Sequence, residues 1–150
     1  MQVPSAKGAG ITLRLRRKFS KPPAQVFQAW TQPEALRGWW CPPGWQSSDI
    51  AVDLRAGGSY RIGMRRTSDG KLVSIEGRFL EVAPPHKLVY TWRWLGTLEL
   101  MPETRVTVEF LPLNEGTEIV LTHDNFPDVS SWQQHRGGWI AACDRMERVL

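Results

Sequence analysis

The chain has 150 residues, 41% of them apolar and eight of them tryptophan, enough for one domain that hides roughly 68–70% of its unfolded surface. Wholesale disorder and a second domain are excluded on that ground. The net charge of +4 lies at one end, with seven Lys/Arg against one acid over residues 1–37 and twelve against fourteen thereafter, so no basic face of the kind that binds nucleic acid runs through the chain.

Residues 1–10 are small and polar and read as a flexible terminus; residues 11–150 read as a single domain. Ile11, Leu13, Leu15 and Phe19 alternate with Thr12, Arg14, Arg16 and Lys18, the period of a half-buried strand. Arg17 falls on the inner side of that alternation and is expected to reach solvent at the strand end with its stem over apolar surface. Pro22 and Pro23 fit the first turn of a helix, and Val26, Phe27 and Trp30 share one face of it. Thr31-Gln32-Pro33-Glu34 has the form of a capping box ahead of a second short helix with Leu36, Trp39 and Trp40, stopped by Cys41-Pro42-Pro43-Gly44.

Six strand-like runs follow, near 50–54, 59–65, 72–82, 88–94, 105–111 and 118–123. Turns rich in Gly, Pro, Asn and Asp separate them, which predicts an antiparallel meander. Over 130–150 the period changes: Trp132, His135, Trp139, Cys143, Met146 and Leu150 make the stripe of an amphipathic helix. Because an interior glycine costs about 1 kcal/mol against alanine, Gly137 and Gly138 place the start of the regular helix near Gly138. A one-faced sheet and a one-striped helix must cover each other, which gives an α+β domain of seven antiparallel strands curled around one long helix, with a gap between them as a candidate pocket.

Candidate binding residues follow from that arrangement. Tyr90, Trp92 and Trp94 share one strand face; Tyr60, Ile62 and Met64 share another; and Trp39, Trp40, Phe79, Phe110, Leu121, His123, His135, Trp139 and Cys143 complete the set. They either line a cavity for a small apolar or aromatic ligand or fill a core. His123 and His135 could move a proton near neutral pH, but no carboxylate or nucleophile stands at a recognisable spacing. The plainer reading has a histidine tying strand to helix, and no catalytic residue is assigned. His123, Asp124 and His135 are the only grouping resembling metal ligands, fewer than a site needs with its usual three or four, so neither a metal nor a cofactor is expected. No GxGxxG, GxxxxGK[ST] or GxSxG motif occurs. Cys41 and Cys143 form no CxxC pair and read as reduced thiols. No apolar run approaches the roughly 20 residues of a spanning helix, and the first residues lack the apolar stretch of a secretory signal, which predicts a cytoplasmic protein, monomer or homodimer.

In this order, Pro22–Thr31, Trp39–Gly44, Leu54–Tyr60, Gly77–Trp92, Gly116-Thr117, Leu121–His123, and His135 with Gly137-Gly138-Trp139 resemble bacterial proteins similar to the C-terminal domain of the activator of the ninety-kilodalton heat-shock protein's ATPase. Those proteins belong to the START/Bet v 1-like superfamily. The resemblance spans Ile11–Leu150 and implies a helix-grip fold, in which seven antiparallel strands hold the C-terminal helix over a hydrophobic cavity, with two short helices after the first strand. It implies binding of a small hydrophobic ligand, with two alternatives: a cyclase- or hydrolase-type enzyme using a pocket histidine, or a module contacting a chaperone or other protein through the basic first strand or the Trp39–Trp45 segment.

Overall fold

The computed structural model describes residues 6–7, 10–98 and 101–150. Most of the terminus expected to be flexible lies outside those residues; within it, Ala6–Lys7 form a two-residue strand, β1, paired with β2 (Gly10–Phe19). Next come α1 (Pro23–Thr31), α2 (Pro33–Arg37), β3 (Trp45–Val52), β4 (Ser59–Arg66), β5 (Leu72–Ala83), β6 (Lys87–Leu95), β7 (Thr104–Leu113), β8 (Gly116–Phe126) and α3 (Val129–Val149). The sheet order is β1-β2-β8-β7-β6-β5-β4-β3, every pair antiparallel. The seven long strands and the closing helix match the architecture read from the sequence.

The first long strand pairs with the last, so the chain between them must cross the whole sheet to start β3 at the far edge. α1 and α2 make that crossing, and their apolar sides close the end of the sheet with Val26, Phe27, Trp30 and Leu36 buried. Cross-strand register sets the inner face. Leu15, Leu121, Val108 and Leu88 form one row, and Leu13, His123, Val106, Tyr90 and Phe79 the next. On the outer side of β2, Thr12, Arg14, Arg16 and Lys18 are exposed, as the alternation requires.

Three local expectations change. The Thr31 hydroxyl donates to the Phe27 carbonyl at 2.9 Å and so closes α1 instead of capping α2, whose N-cap is Gln32. The inward Arg17 finds α3 rather than only solvent, with its Nη2 2.7 Å from Asp144 and 3.2 Å from Glu147. Finally, α3 begins at Val129, well before Gly138. The Asp128 carboxylate accepts from the Ser131 amide at 2.7 Å, and caps of this kind contribute about 1 kcal/mol. Trp132 and His135 are buried in the turns before the two glycines, and burying a large apolar side chain stabilises by about 1.5–3 kcal/mol. Together these terms exceed the roughly 2 kcal/mol that the pair of glycines costs.

A Cβ added at Gly137 or Gly138 would meet nothing within 4 Å. Gly137→Ala is therefore expected to raise the unfolding free energy by about 0.5–1 kcal/mol, read as a higher urea midpoint with unchanged slope. A decrease would show that the helix is not regular at that turn.

Candidate functional site

Strand alternation turns both Trp92 and Trp94 of β6 inward, and the helical spacing of α3 brings Trp139 over them. Trp40, in the turn after α2, meets them from the side. Ring centroids lie 5.2 Å apart for Trp92 and Trp139, 5.8 Å for Trp40 and Trp92, 5.8 Å for Trp92 and Trp94, and 6.1 Å for Trp40 and Trp139. Trp30 stacks on Trp139 at 6.0 Å, and Trp39 joins Trp30 at 5.4 Å. Edge-to-face and offset contacts at such spacings contribute beyond simple burial, which holds the wall rigid.

These rings do not fill the space beneath α3. A cavity of about 220 Å³ remains between β4, β6, the α2–β3 turn and α3. Of the residues expected at a site, Trp40, Met64, Trp92, Trp94, His135 and Trp139 line it. Tyr60, Ile62, Phe79 and Tyr90 instead surround a separate void of about 20 Å³ behind Trp40, room for about one water. Trp39, Phe110, Leu121, His123 and Cys143 border neither space and pack the core. The remaining wall comes from residues outside the expected set, including Pro42, Leu98, Gln134, Gly138, Ala141, Ala142 and Arg145. Their signal in the sequence was a run of small side chains: Gly138, Ala141 and Ala142 flank the Trp139 stripe at helical spacing, where α3 can come close without filling the gap.

The two histidines are fixed by hydrogen bonds on both ring nitrogens. His123 Nδ1 accepts from Trp139 Nε1 at 3.1 Å, so its proton is on Nε2, which donates to Thr104 Oγ1 at 2.8 Å. The Thr104 hydroxyl in turn points to the Trp92 carbonyl at 3.4 Å. His135 Nε2 accepts from Trp94 Nε1 at 3.0 Å, which leaves the proton on Nδ1 for the Ser131 carbonyl at 2.8 Å. Each ring thus ties a strand to α3 in its neutral form. Burial lowers the pKa of both below the ordinary 6.5, and for His123 the nearby His135 adds to the effect. Asp124 faces away, bonded to Thr12 and Arg105, so it does not join the histidines as a ligand set.

The thiols and phenols nearby are also held uncharged. Burial pushes the Cys143 thiol up to about 11 and raises Cys41 as well; both are free thiols. Burial likewise raises Tyr60 and Tyr90, the first donating to the Thr91 carbonyl at 2.5 Å and the second accepting from Trp30 Nε1 at 3.1 Å. One donor is left over: Trp92 Nε1 is buried with no acceptor among the described residues. Arg145 supplies the only guanidinium in the wall. Its Nε donates to the Trp39 carbonyl at 2.8 Å and Nη2 to the Trp40 carbonyl at 3.0 Å, fastening α3 to the end of α2.

Residues 20–150 match a family model described as Activator of Hsp90 ATPase homolog 1-like protein. Among solved structures, a protein from Chromobacterium violaceum is 27% identical and superposes with a TM-score of 0.83, over 92% of this chain and 95% of that one. A protein from Nitrosomonas europaea is 28% identical with a TM-score of 0.76, over 93% of each chain. The AHSA1 protein from Silicibacter pomeroyi, at 24% identity and a TM-score of 0.79 over 91% of this chain and 95% of that one, shares the fold. No curated protein matches. Among the described residues no helix is long and apolar enough to cross a membrane.

Proposed function

This chain belongs to the family of Activator of Hsp90 ATPase homolog 1-like proteins, and from that premise and the chemistry of its cavity we propose that it binds a small apolar or aromatic molecule between the sheet and α3. The observation that carries the reading is the cavity of about 220 Å³ walled by Trp40, Trp92, Trp94 and Trp139. A rigid indole wall offers broad apolar area at low ordering cost, because its rings already pack on one another. The volume falls below the roughly 300–1,000 Å³ of sites for drug-sized ligands, which favours a compact ligand of one or two rings.

Binding is favoured over chemistry by the state of the polar groups. A general base needs a ring nitrogen within reach of substrate, yet both nitrogens of His123 and of His135 are engaged within the protein. A thiol nucleophile needs a lowered pKa, and both cysteines are raised. Chaperone contact through the Trp39–Trp45 segment gains no support from the geometry. Trp39 is buried, Trp40 turns to the cavity, and Trp45 lies under the Arg66 guanidinium at 5.6 Å.

The test is Gly138→Leu. Gly138 lines the cavity and its Cβ direction is open, so the leucine side chain enters the ligand space, while its higher helix propensity supports α3. Calorimetric titration with indole, 2-naphthamide and 2-naphthoate is expected to give saturable one-to-one binding to the wild type for at least one probe, and about tenfold or greater weakening in Gly138→Leu. Failure of all three to bind the wild type, or equal binding by the variant, overturns the reading.

A further inference from the structure

We propose that the ligand of this cavity is a carboxylate, recognised by Arg145 at one end while its apolar body lies among the indoles. The inference rests on the binding reading above and adds the ligand's charge and the residue that selects it.

Besides Arg145 the cavity wall is mostly apolar, with Gln134 and His135 its other polar side chains, and a guanidinium there is out of place unless something answers its charge. Among the described residues Arg145 has no such partner: no carboxylate lies within ion-pairing distance of it, and its chain neighbour Asp144 is taken by Arg17 at 2.7 Å. Its two hydrogen bonds go to neutral carbonyls, which orient the group without cancelling its charge. Burial lowers its pKa and the nearby Arg148 adds to that shift, while Cys41 and, more weakly, Asp144 and Cys143 oppose it. A half-buried cation without a counter-ion is costly to hold. A planar guanidinium with donors left over is also the group best matched to a carboxylate, through parallel charge-assisted bonds.

The backbone anchors matter to this argument. They fix Nε and Nη2 on the Trp39 and Trp40 carbonyls and so hold the guanidinium at the rim beside Trp40, which is itself part of the cavity wall. Nη1 makes no hydrogen bond to the described residues, and its two N–H groups with the second one of Nη2 are left to donate to ligand oxygens. A carboxylate would answer the guanidinium's charge, and a plain hydrocarbon would not.

Paired probes of one shape make the test. Calorimetry should show 2-naphthoate binding the wild type about tenfold or more tightly than 2-naphthamide, the scale expected for a hydrogen bond to a charged group. In Arg145→Gln the ratio of the two affinities should fall to about one, whatever change the substitution makes to both probes alike. Arg145→Met, which keeps the apolar stem over the wall, serves the same purpose if the Gln variant fails to fold, and the wild-type comparison needs no variant. Equal affinity of the two probes for the wild type, or a preference that survives both substitutions, overturns the proposal and leaves the cavity reading standing. If neither probe binds but indole does, the cavity reading stands and the carboxylate proposal falls; if none of the three binds, both fall.

Discussion

Trp139→Ala is expected to lower the unfolding free energy by about 3–5 kcal/mol, the range for removing a large buried aromatic side chain. Trp139 is 4% exposed and sits where four partners meet: it stacks on Trp30, abuts Trp40 and Trp92, and donates to His123. Alanine removes all of these contacts and strands the His123 acceptor. For a domain of this length each kcal/mol corresponds to about 2–4 °C, so the melting temperature should drop by roughly 10 °C. Two companions separate packing from the hydrogen bond. Trp139→Phe keeps a six-membered ring in place but loses the bond to His123 and part of the packing, for a cost of about 1–3 kcal/mol. Trp45→Ala, at the sheet edge, should cost about 1 kcal/mol or less. A cost for Trp139→Ala no larger than that for Trp45→Ala would mean that the cluster is not the keystone of the core.

Mild acid should unfold the protein through its two interior histidines. Burial lowers both folded pKa values below 6.5, so below about pH 6.5 the unfolded chain binds protons that the folded chain refuses. Their contribution is present in full above the unfolded value and is lost as pH falls. The slope is about 1.4 kcal/mol per pH unit for each histidine held neutral, hence up to about 2.7 for the pair. The carboxylates held low, Asp69 by the Arg66 guanidinium and Asp128 by the Ser131 amide, give up their contributions only below their ordinary 3.8, which leaves the interval from about pH 4.5 to 6.5 to the histidines. Urea denaturation at half-unit steps across that interval measures the slope. His123→Gln should reduce it by about half, and a flat profile in the wild type would contradict the neutral assignment of both rings.

Alternation along β2 and from β4 to β8 made the strands legible, because a half-buried sheet imposes period two on its own sequence. The stripe Trp132, His135, Trp139, Cys143 and Met146 did the same for α3. Local signals that compete were harder to read. Thr31 and Glu34 have capping-box spacing, yet the hydroxyl found the Phe27 carbonyl one turn back, an option open to any threonine inside a helix. Gly137 and Gly138 lower helix propensity, but tertiary burial of Trp132 and His135 decided where α3 begins.

The cavity divided the candidate residues for a similar reason. Inward direction is visible in a sequence, whereas the difference between a side chain that fills space and one that borders it depends on how closely α3 approaches. Phe110 and Leu121 point inward and are packed over; Trp92 and Trp94 point inward and meet a gap. Arg145 lay beside the apolar stripe with nothing local to mark it. What distinguishes it is a bond to the Trp39 carbonyl, 106 positions earlier, and no period in the helix encodes that.

The chain of indoles from Trp39 through Trp30 to Trp139, Trp92 and Trp94 has an optical consequence. Chromophores 5–6 Å apart share their excited states, so light absorbed by one ring migrates through the group before it is emitted. The near-parallel pair Trp30 and Trp139, with ring planes 19° apart, should add a coupled band to the circular dichroism of the native state. A guest touching any one ring would then quench or shift the emission of the connected set, and the protein would signal occupancy through its own ultraviolet spectrum without a label.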